Sequence, residues 1–332
     1  MKLDELAGLV ALTEIGGIGE KRALELYRAF GSIDDLLDSP QAAFSDHHYV
    51  DEEAYDQLQS LHPAIDDVRR RFDRCQANGI DVIGIEDARY PPALAELHAP
   101  LVIYAKGDSN LLGRESVSFS GSRETNVAGQ DWVRHVAGDL ASEGYAIVSG
   151  GARGADTAAH EGALDADGAT VVVLGTGVET PYPEENVELF DDIVAGGGTL
   201  ISHRPPAAGP TRAGFLNRNK TLSALSAGLV IVATDGSGGT MAQYNDATAQ
   251  ERQVFVPSRA TDVRPYDGIE DIAREESTMI VDSATEIEEW YNRSNSAPLS
   301  TRRDDTEGKA ESGNGQASLA DWGRGRDAEE RD

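Results

Sequence analysis

The stretch SFSGSRETNVAGQDWVRHVAGDLASEGYAIVSGGARGADTAAHEGAL, residues 118–164, decides the fold of this chain. Two glycine turns, at residues 121–123 and 150–154, each end an apolar run and open a helical pattern. A strand that passes through a tight glycine turn into a helix points backbone N–H groups at whatever lies above the sheet. Such turns favour phosphate, and each carries an arginine, Arg123 or Arg153, whose planar guanidinium can bind phosphate bidentately.

Short apolar runs rich in β-branched residues alternate with helical patterns over residues 76–291. Continuous apolar runs, as opposed to alternating ones, are typical of parallel strands that are buried on both faces. Helices between them give right-handed βαβ units, so we predict an α/β Rossmann-like domain with a doubly wound, mostly parallel sheet. Its ligand is expected beyond the carboxyl ends of the strands. The predicted strands are residues 82–85, 101–105, 117–120, 146–149, 171–174, 199–202, 229–233 and 254–256.

Two flanking regions differ in composition from this domain. The sequence of residues 1–75 predicts a small helical domain. Within it, the segment IGGIG at residues 15–19 resembles the hairpin of a helix-hairpin-helix (SAM-like) unit. Its glycines would let the backbone approach DNA phosphate, or the turn only packs two helices together. Residues 292–332 are polar, with little apolar content apart from Trp322, and predict a disordered tail.

The charge balance is strongly acidic. The chain has 58 acidic and 29 basic residues, a formal net charge of −29, and only five of the basic residues are lysine. This balance is typical of a protein from a halophilic organism; the alternative is an acidic protein that avoids nucleic acid. In molar salt the Debye length falls to about 3 Å, so only the local charge of a site matters. An acidic nucleic-acid binder is then compatible with the composition, provided that it relies less on counterion release.

Several function classes are disfavoured by the sequence. The single cysteine, Cys75, excludes an intramolecular disulfide, and the scattered histidines suggest no metal site. No apolar run approaches the length of about 18 residues that a membrane span needs, and the first ten residues are too acidic for a signal peptide. No P-loop pattern occurs. We therefore expect a cytoplasmic protein with no cofactor and no membrane contact.

Seven ordered blocks of the chain resemble the DNA-processing protein A family (DprA, also called Smf). One GSR turn alone would carry little weight, but agreement of all the blocks in the family's order makes coincidence implausible. The blocks are DARYPPAL (87–94), LVIYAKGD (101–108), GSR (121–123), SGGARGADTAAHEGAL (149–164), VLGTGVETPYPEEN (173–186), FLNRNKTLSALS (215–226) and QERQVFVPS (250–258).

This resemblance implies a Rossmann-like domain that binds single-stranded DNA in a positive pocket. Family members protect incoming strands and help load a RecA-type recombinase in natural transformation, and they commonly form homodimers. The positions of Arg123, Arg212 and Phe215 match residues that line the family's DNA pocket. Arg218 and Asn219 match part of its wall.

The residue types agree with such a pocket, because single strands are usually bound by backbone contacts together with base stacking. Alternatives remain open: Phe215 lies in the core, or Arg218 and Asn219 brace the loop internally. The predicted DNA-binding residues are Gly121, Ser122, Arg123, Gly151, Arg153, Gly154, Arg212, Phe215, Arg218, Asn219 and Lys220. A further glycine turn, either an anion nest or a plain strand-to-helix turn, comprises Ser237, Gly238, Gly239 and Thr240.

An enzymatic alternative is a nucleotide or nucleotide-sugar binding protein of the phosphoribohydrolase type, and a third is a nucleotide sensor. Similar Rossmann-like hydrolases place a catalytic glutamate after a glycine-rich turn. Here the residues that follow Thr240 are Met-Ala-Gln-Tyr, so that glutamate is missing. Asp156 is the nearest other acid, and we interpret it as a residue that caps or steadies its turn. We therefore predict a protein without catalytic activity.

Overall fold

The structure, a computed structural model, describes residues 1–96 and 100–296. The predicted tail lies outside the described residues from position 297 onward, and Trp322 with it. Residues Met1–Ile287 form one compact unit, and a second unit begins at Glu288. In the described part of this second unit, the rings of Trp290 and Tyr291 meet edge to face, with centroids 5.0 Å apart.

Nine strands within the described residues form one sheet. They are β1 (Ile80–Gly84), β2 (Val102–Gly107), β3 (Ser116–Gly121), β4 (Ala146–Ser149), β5 (Thr170–Val173), β6 (Thr199–Ser202), β7 (Gly228–Val232), β8 (Gln253–Pro257) and β9 (Thr278–Val281). Their order is β1-β2-β6-β5-β4-β3-β7-β8-β9. The stretch from β6 to β9 is parallel, whereas β2 pairs antiparallel with both β1 and β6. The predicted Rossmann-like, mostly parallel sheet is confirmed.

Burial explains which strands the sequence reveals. Every residue of β4, β5, β6 and β7 is buried, so each of these strands reads as a continuous apolar or small-residue run. In contrast, the edge strand β9 buries only Val281, and its Ile280 is 56% exposed. β9 is not among the predicted strands, because a short edge strand with one buried residue shows neither a continuous apolar run nor a regular alternation of apolar and polar residues.

Helices cover both faces of the sheet, and side chains cap several of them. The Gly129 N–H donates to the Asn126 side chain at 3.2 Å, and the Gly214 N–H donates to Thr211 Oγ1 at 3.0 Å. Among the described residues, none of the helices has the length and apolar composition that a membrane span requires. The helices are α1 (Leu3–Leu12), α2 (Glu20–Phe30), α3 (Ile33–Asp38), α4 (Glu52–Gln59), α5 (His62–Ala77), α6 (Pro92–Glu96), α7 (Val127–Ser142), α8 (Ala155–Asp165), α9 (Val187–Ala195), α10 (Arg212–Leu225), α11 (Gly238–Ala249), α12 (Asp267–Ile272) and α13 (Ala284–Ser296), with 3₁₀ turns at Gln41–Phe44, Ser109–Gly113, Glu184–Asn186 and Arg259–Thr261.

The N-terminal region is helical, as predicted, and α1 and α2 flank the IGGIG loop. Gly17 has φ +82°, a conformation that favours glycine, and Nη1 of Arg22 donates to its carbonyl oxygen at 2.6 Å. The apolar core of these helices continues into the sheet, where the Phe72 ring lies 6.3 Å from the ring of Tyr104 on β2. A domain boundary near residue 75 stays a prediction.

The strand order places a topological switch point between β3 and β7. From β3 the chain adds β4, β5 and β6 on one side, and then returns to add β7, β8 and β9 on the other. Ligands of doubly wound sheets bind in the crevice where the order reverses, at the carboxyl ends of the strands. The turns that follow β3, β4 and β7, at residues 122–126, 150–154 and 233–237, therefore meet at the carboxyl edge of the sheet. We call this edge the crest.

Candidate nucleic-acid interface

The turn after β3 presents an unpaired arginine. The Ser122 N–H donates to the Ala233 carbonyl at 2.8 Å, which ties this turn to the end of β7. A Cβ at Gly121 would collide with the backbone of Val232, so only glycine permits this close approach. Arg123 is exposed, and within residues 1–96 and 100–296 its guanidinium makes no hydrogen bond or ion pair. The turn thus holds Arg123 at the crest with its donors available to an anion.

The turn after β4 packs directly against the first turn. Gly154 has φ +82°, and a Cβ there would press on the carbonyl oxygens of Ser122 and Arg123. Gly151 has φ +72° and is buried against the ring of Phe190 on α9. These two predicted glycines shape the turn and bring the arginine-bearing segments together.

Helix α10 brings an aromatic ring and a cation to the same place. Phe215 and Arg218 are three residues apart, so they share one face of the helix. The guanidinium of Arg218 lies over Gly150, and the ring of Phe215 lies over Gly175; a Cβ at either glycine would collide with the side chain above it. Phe215 is half-buried, and its ring centroid lies 5.8 Å from that of Tyr182.

A buried carboxylate lies behind this cationic surface. Asp156 is 6% exposed and accepts a hydrogen bond from the Ala152 N–H at 3.2 Å, which agrees with its interpretation as a residue that steadies the turn. Burial raises the pKa of Asp156, and the charge of Arg218 partly opposes that rise. Burial lowers the pKa of Arg218, against the attraction of Asp156. The Nε atom of Arg218 is buried and lacks a hydrogen-bond partner in the described structure.

Two cavities flank these side chains, and four residues line both of them. We call these shared residues, Arg123, Ala152, Phe215 and Arg218, the dividing wall. The first, the ring-side cavity, is completed by Gly150, Arg153, Tyr182, Pro183 and Glu185. The second, the switch-point cavity, is completed by Ser120, Gly121, Ser122, Glu124, Asp156, Leu216, Asn219, Thr234, Asp235, Ser237, Gly239 and Thr240.

The structure brings most of the predicted site residues to these cavities, but not all of them. Asn219 is buried and lines the switch-point cavity. Arg212 and Lys220 are exposed on α10 and lie outside both linings.

The predicted anion nest after β7 already faces a carboxylate. Ser237, Gly239 and Thr240 line the switch-point cavity, while Gly238 begins α11 with φ +73°. The Ser237 hydroxyl and N–H donate to Oδ1 of Asp235, at 2.8 and 2.9 Å. These hydrogen bonds lower the pKa of Asp235. A phosphate at this turn would compete with the Asp235 carboxylate for the Ser237 donors.

The PYPEEN loop, residues 181–186, contributes none of the predicted site residues. Asn186 Nδ2 donates to the carbonyl of Gly151 at 2.9 Å and so holds this loop against the turn after β4. The loop then places Glu185 Oε1 3.3 Å from Nε of Arg153, and it brings Tyr182 beside Phe215. A sequence signal was present, because the loop follows β5 and must begin at the same edge of the sheet.

This fold and crest define a doubly wound α/β protein whose candidate site combines arginine side chains with the partly exposed rings of Tyr182 and Phe215. Within the described residues, no group of three histidine, cysteine or acidic side chains is placed to hold a metal ion. The chain belongs to the family described as DNA recombination-mediator protein A, whose model matches residues 81–292. The family resemblance predicted from the sequence is confirmed.

Sequence relatives include the DNA processing protein DprA of Bacillus subtilis. It is 34% identical over 193 residues, which cover 57% of this chain and 64% of the relative. Protein Smf of Escherichia coli is 34% identical over 167 residues, which cover 50% of this chain and 45% of the relative. The chain therefore spans less than two thirds of the length of these two relatives.

Solved structures of two similar proteins share the fold. DNA processing protein A from Streptococcus pneumoniae superposes with a TM-score of 0.66 at 26% identity, over 85% of this chain and 96% of that protein. DNA processing protein A from Helicobacter pylori, whose structure was described for its mode of binding single-stranded DNA, gives a TM-score of 0.58 at 25% identity. That match covers 65% of this chain and 96% of the H. pylori protein.

Proposed function

We propose that this protein binds single-stranded DNA at the crest of its sheet and acts as a recombination mediator. It protects incoming strands and helps load a RecA-type recombinase. The observation that carries this proposal is the dividing wall, on which the unpaired Arg123 lies beside Arg218 and the half-buried ring of Phe215. A single strand offers both phosphates and open base faces, whereas a duplex hides the base faces. The single-strand binding named for the H. pylori relative supports the same assignment.

We also propose that the protein works without catalysis, as a cytoplasmic homodimer with residues 1–75 as a separate helical domain. Support for a binding role comes from Gln243, which follows the glycine turn where similar hydrolases have their glutamate. It is 1% exposed, and its Nε2 donates to the carbonyl of Asn219 at 3.0 Å. This amide joins α11 to α10, so the position serves packing and carries no charge.

Binding of a single strand in preference to a duplex tests the proposal. Fluorescence anisotropy would compare a labelled oligothymidine strand with a matching duplex, in about 2 M potassium chloride and at lower salt, with folding checked by circular dichroism. We expect tighter binding of the single strand at both salt concentrations. If the folded protein binds neither, the proposal fails, and binding and hydrolysis of nucleotides and nucleotide sugars become the next measurement.

Replacing Phe215 by alanine is expected to weaken single-strand binding by about 1–3 kcal/mol, the usual contribution of one stacked base. The ring is half-buried over Gly175, so part of its surface remains available to a base. Anisotropy titration would measure the affinity, and thermal unfolding would measure stability in parallel. An unchanged affinity together with a large loss of stability would assign Phe215 to the core instead.

Replacing Glu185 by glutamine is expected to strengthen single-strand binding up to about fivefold, because the carboxylate pairs with Arg153 and competes with phosphate. Glu184→Gln is the matched control: it makes the same change in net charge at the neighbouring exposed residue, which lies outside both cavity linings. Equal effects of the two substitutions would show that the change in affinity comes from overall charge. The Glu185–Arg153 ion pair would then not compete with the ligand for Arg153.

A further inference from the structure

Exposed apolar side chains occur on both sides of Phe215. Among the described residues, the large apolar side chains that stand out to solvent are Leu3, Val127, Tyr182, Leu216 and Ile280. Tyr182, 38% exposed, lines the ring-side cavity, and Leu216, 45% exposed, lines the switch-point cavity. Single exposed apolar residues are common on protein surfaces, but here one lies in each of two adjoining cavities.

The same two arginines, Arg123 and Arg218, line both cavities. Arg123 and Arg218 belong to the dividing wall, so each cavity combines an apolar surface of its own with the shared guanidinium groups. The Tyr182 ring is tilted by 58° from that of Phe215, so the two rings do not stack face to face. Tyr182 is 38% exposed, so part of its surface remains available to a flat apolar ligand.

We propose that the crest binds two successive nucleotides of one strand, with one base in each cavity. Tyr182 contacts the first base, Leu216 contacts the second, and Arg123 and Arg218 hold the phosphate between them. This inference rests on the proposed single-strand binding and adds to it two base-contacting residues. Both contacts depend on shape and apolar surface, so the two subsites accept any base.

Tyr182 and Leu216 differ in how strongly each can bind a base. Tyr182 offers a π face, and loss of one stacked base reduces affinity by about tenfold. Leu216 offers only apolar surface, of which a base covers a part, so its removal costs about threefold. Tyr182→Phe keeps the ring and removes only the hydroxyl, and it is expected to retain the wild-type affinity.

The test combines affinity measurements with a fluorescent base. Tyr182→Ala, Leu216→Ala and Tyr182→Phe would be titrated by anisotropy with oligothymidine. Val127→Ala is the control, because Val127 is 74% exposed but lies outside both cavity linings. In parallel, 2-aminopurine would be placed at successive positions of the strand, because stacking on an aromatic ring quenches its fluorescence. We expect the quenching of the base at Tyr182 to weaken in Tyr182→Ala and to persist in Leu216→Ala, while quenching that depends on Phe215 stays unchanged in both variants.

The outcomes separate this inference from the proposed function. If the wild-type protein binds single strands but Tyr182→Ala and Leu216→Ala both behave like Val127→Ala, the two-base arrangement is wrong and single-strand binding stands. If Tyr182→Phe loses as much affinity as Tyr182→Ala, the hydroxyl, and not stacking, is responsible, and the base contact is rejected. If the folded wild-type protein binds no single strand, the proposed function itself fails.

Discussion

Replacing Arg218 by methionine is expected to lower the free energy of unfolding by about 2 kcal/mol, because it leaves the buried Asp156 carboxylate without its opposing charge. Loss of one partner from a fully buried ion pair costs about 3–5 kcal/mol. Arg218 keeps part of its surface exposed and, within the described residues, forms no ion pair with Asp156, so the smaller figure applies. Methionine retains the long apolar stem, which limits the loss of packing. Urea unfolding at constant salt would measure the change.

A double variant separates the charge effect from packing. Asp156→Asn combined with Arg218→Met removes both charges and is expected to recover most of the lost stability. The deficit of the single variant is also expected to shrink as pH falls from neutrality toward the ordinary carboxylate pKa of 3.8. Burial raises the pKa of Asp156 in the folded protein, so the folded state takes up the proton first and is stabilised by acid relative to the unfolded chain. A pH-independent deficit would contradict this account.

Replacing Arg123 by alanine is expected to weaken single-strand binding about tenfold, the loss of one charge-assisted contact to phosphate. Stability should change by no more than about 0.5 kcal/mol, because the exposed guanidinium makes no hydrogen bond or ion pair within the described residues. Anisotropy titrations over a series of salt concentrations would measure both the affinity and the dependence of its logarithm on the logarithm of salt concentration, whose slope should fall by about one.

Arg114→Ala provides the control for the Arg123 variant. Arg114 is an exposed arginine that precedes β3, whereas Arg123 follows it, so the two lie at opposite ends of one strand. The substitution makes the same change in net charge away from the crest and should leave single-strand affinity unchanged. Equal losses in the two variants would mean that long-range charge, and not a contact at the crest, controls binding.

The resemblance to the family also predicts that Arg212→Ala binds single strands more weakly, although Arg212 lies outside both cavity linings.

Much of the sheet could be predicted from sequence, because a strand that is buried on both faces has a continuous run of apolar or small residues. The runs that became β4, β5, β6 and β7 are buried throughout, and each is followed by a turn whose glycines or helix-opening residues can be recognised. β9 could not be found in this way, because an edge strand buries too few residues. The antiparallel pairing of β2 with β6 was also hidden, since local sequence does not specify a partner that lies about a hundred residues away.

The crest was predictable in outline and not in its contacts. Glycine turns with arginines at strand ends pointed to Arg123 and Arg153, since φ values and close approaches constrain residue type locally. Arg218, on α10, was predicted from the resemblance to the family. The carboxylates that oppose two of these cations, Glu185 and Asp156, come from separate segments of the chain. Their roles depend on distances across the fold, which no spacing along the chain records.

The sequence by itself determined the class of fold, the family and the edge of the sheet at which a ligand is expected. The fold class and the edge of the sheet follow from periodicity and glycine turns, which act over a few neighbouring residues, and the family follows from the order of the blocks along the chain. Only the tertiary structure decided that Arg123, Phe215 and Arg218 form one wall between two cavities, with Tyr182 and Leu216 on its two sides. Packing of α10 and the PYPEEN loop over the strand ends creates this arrangement, because burial and charge pairing act between segments far apart in the chain.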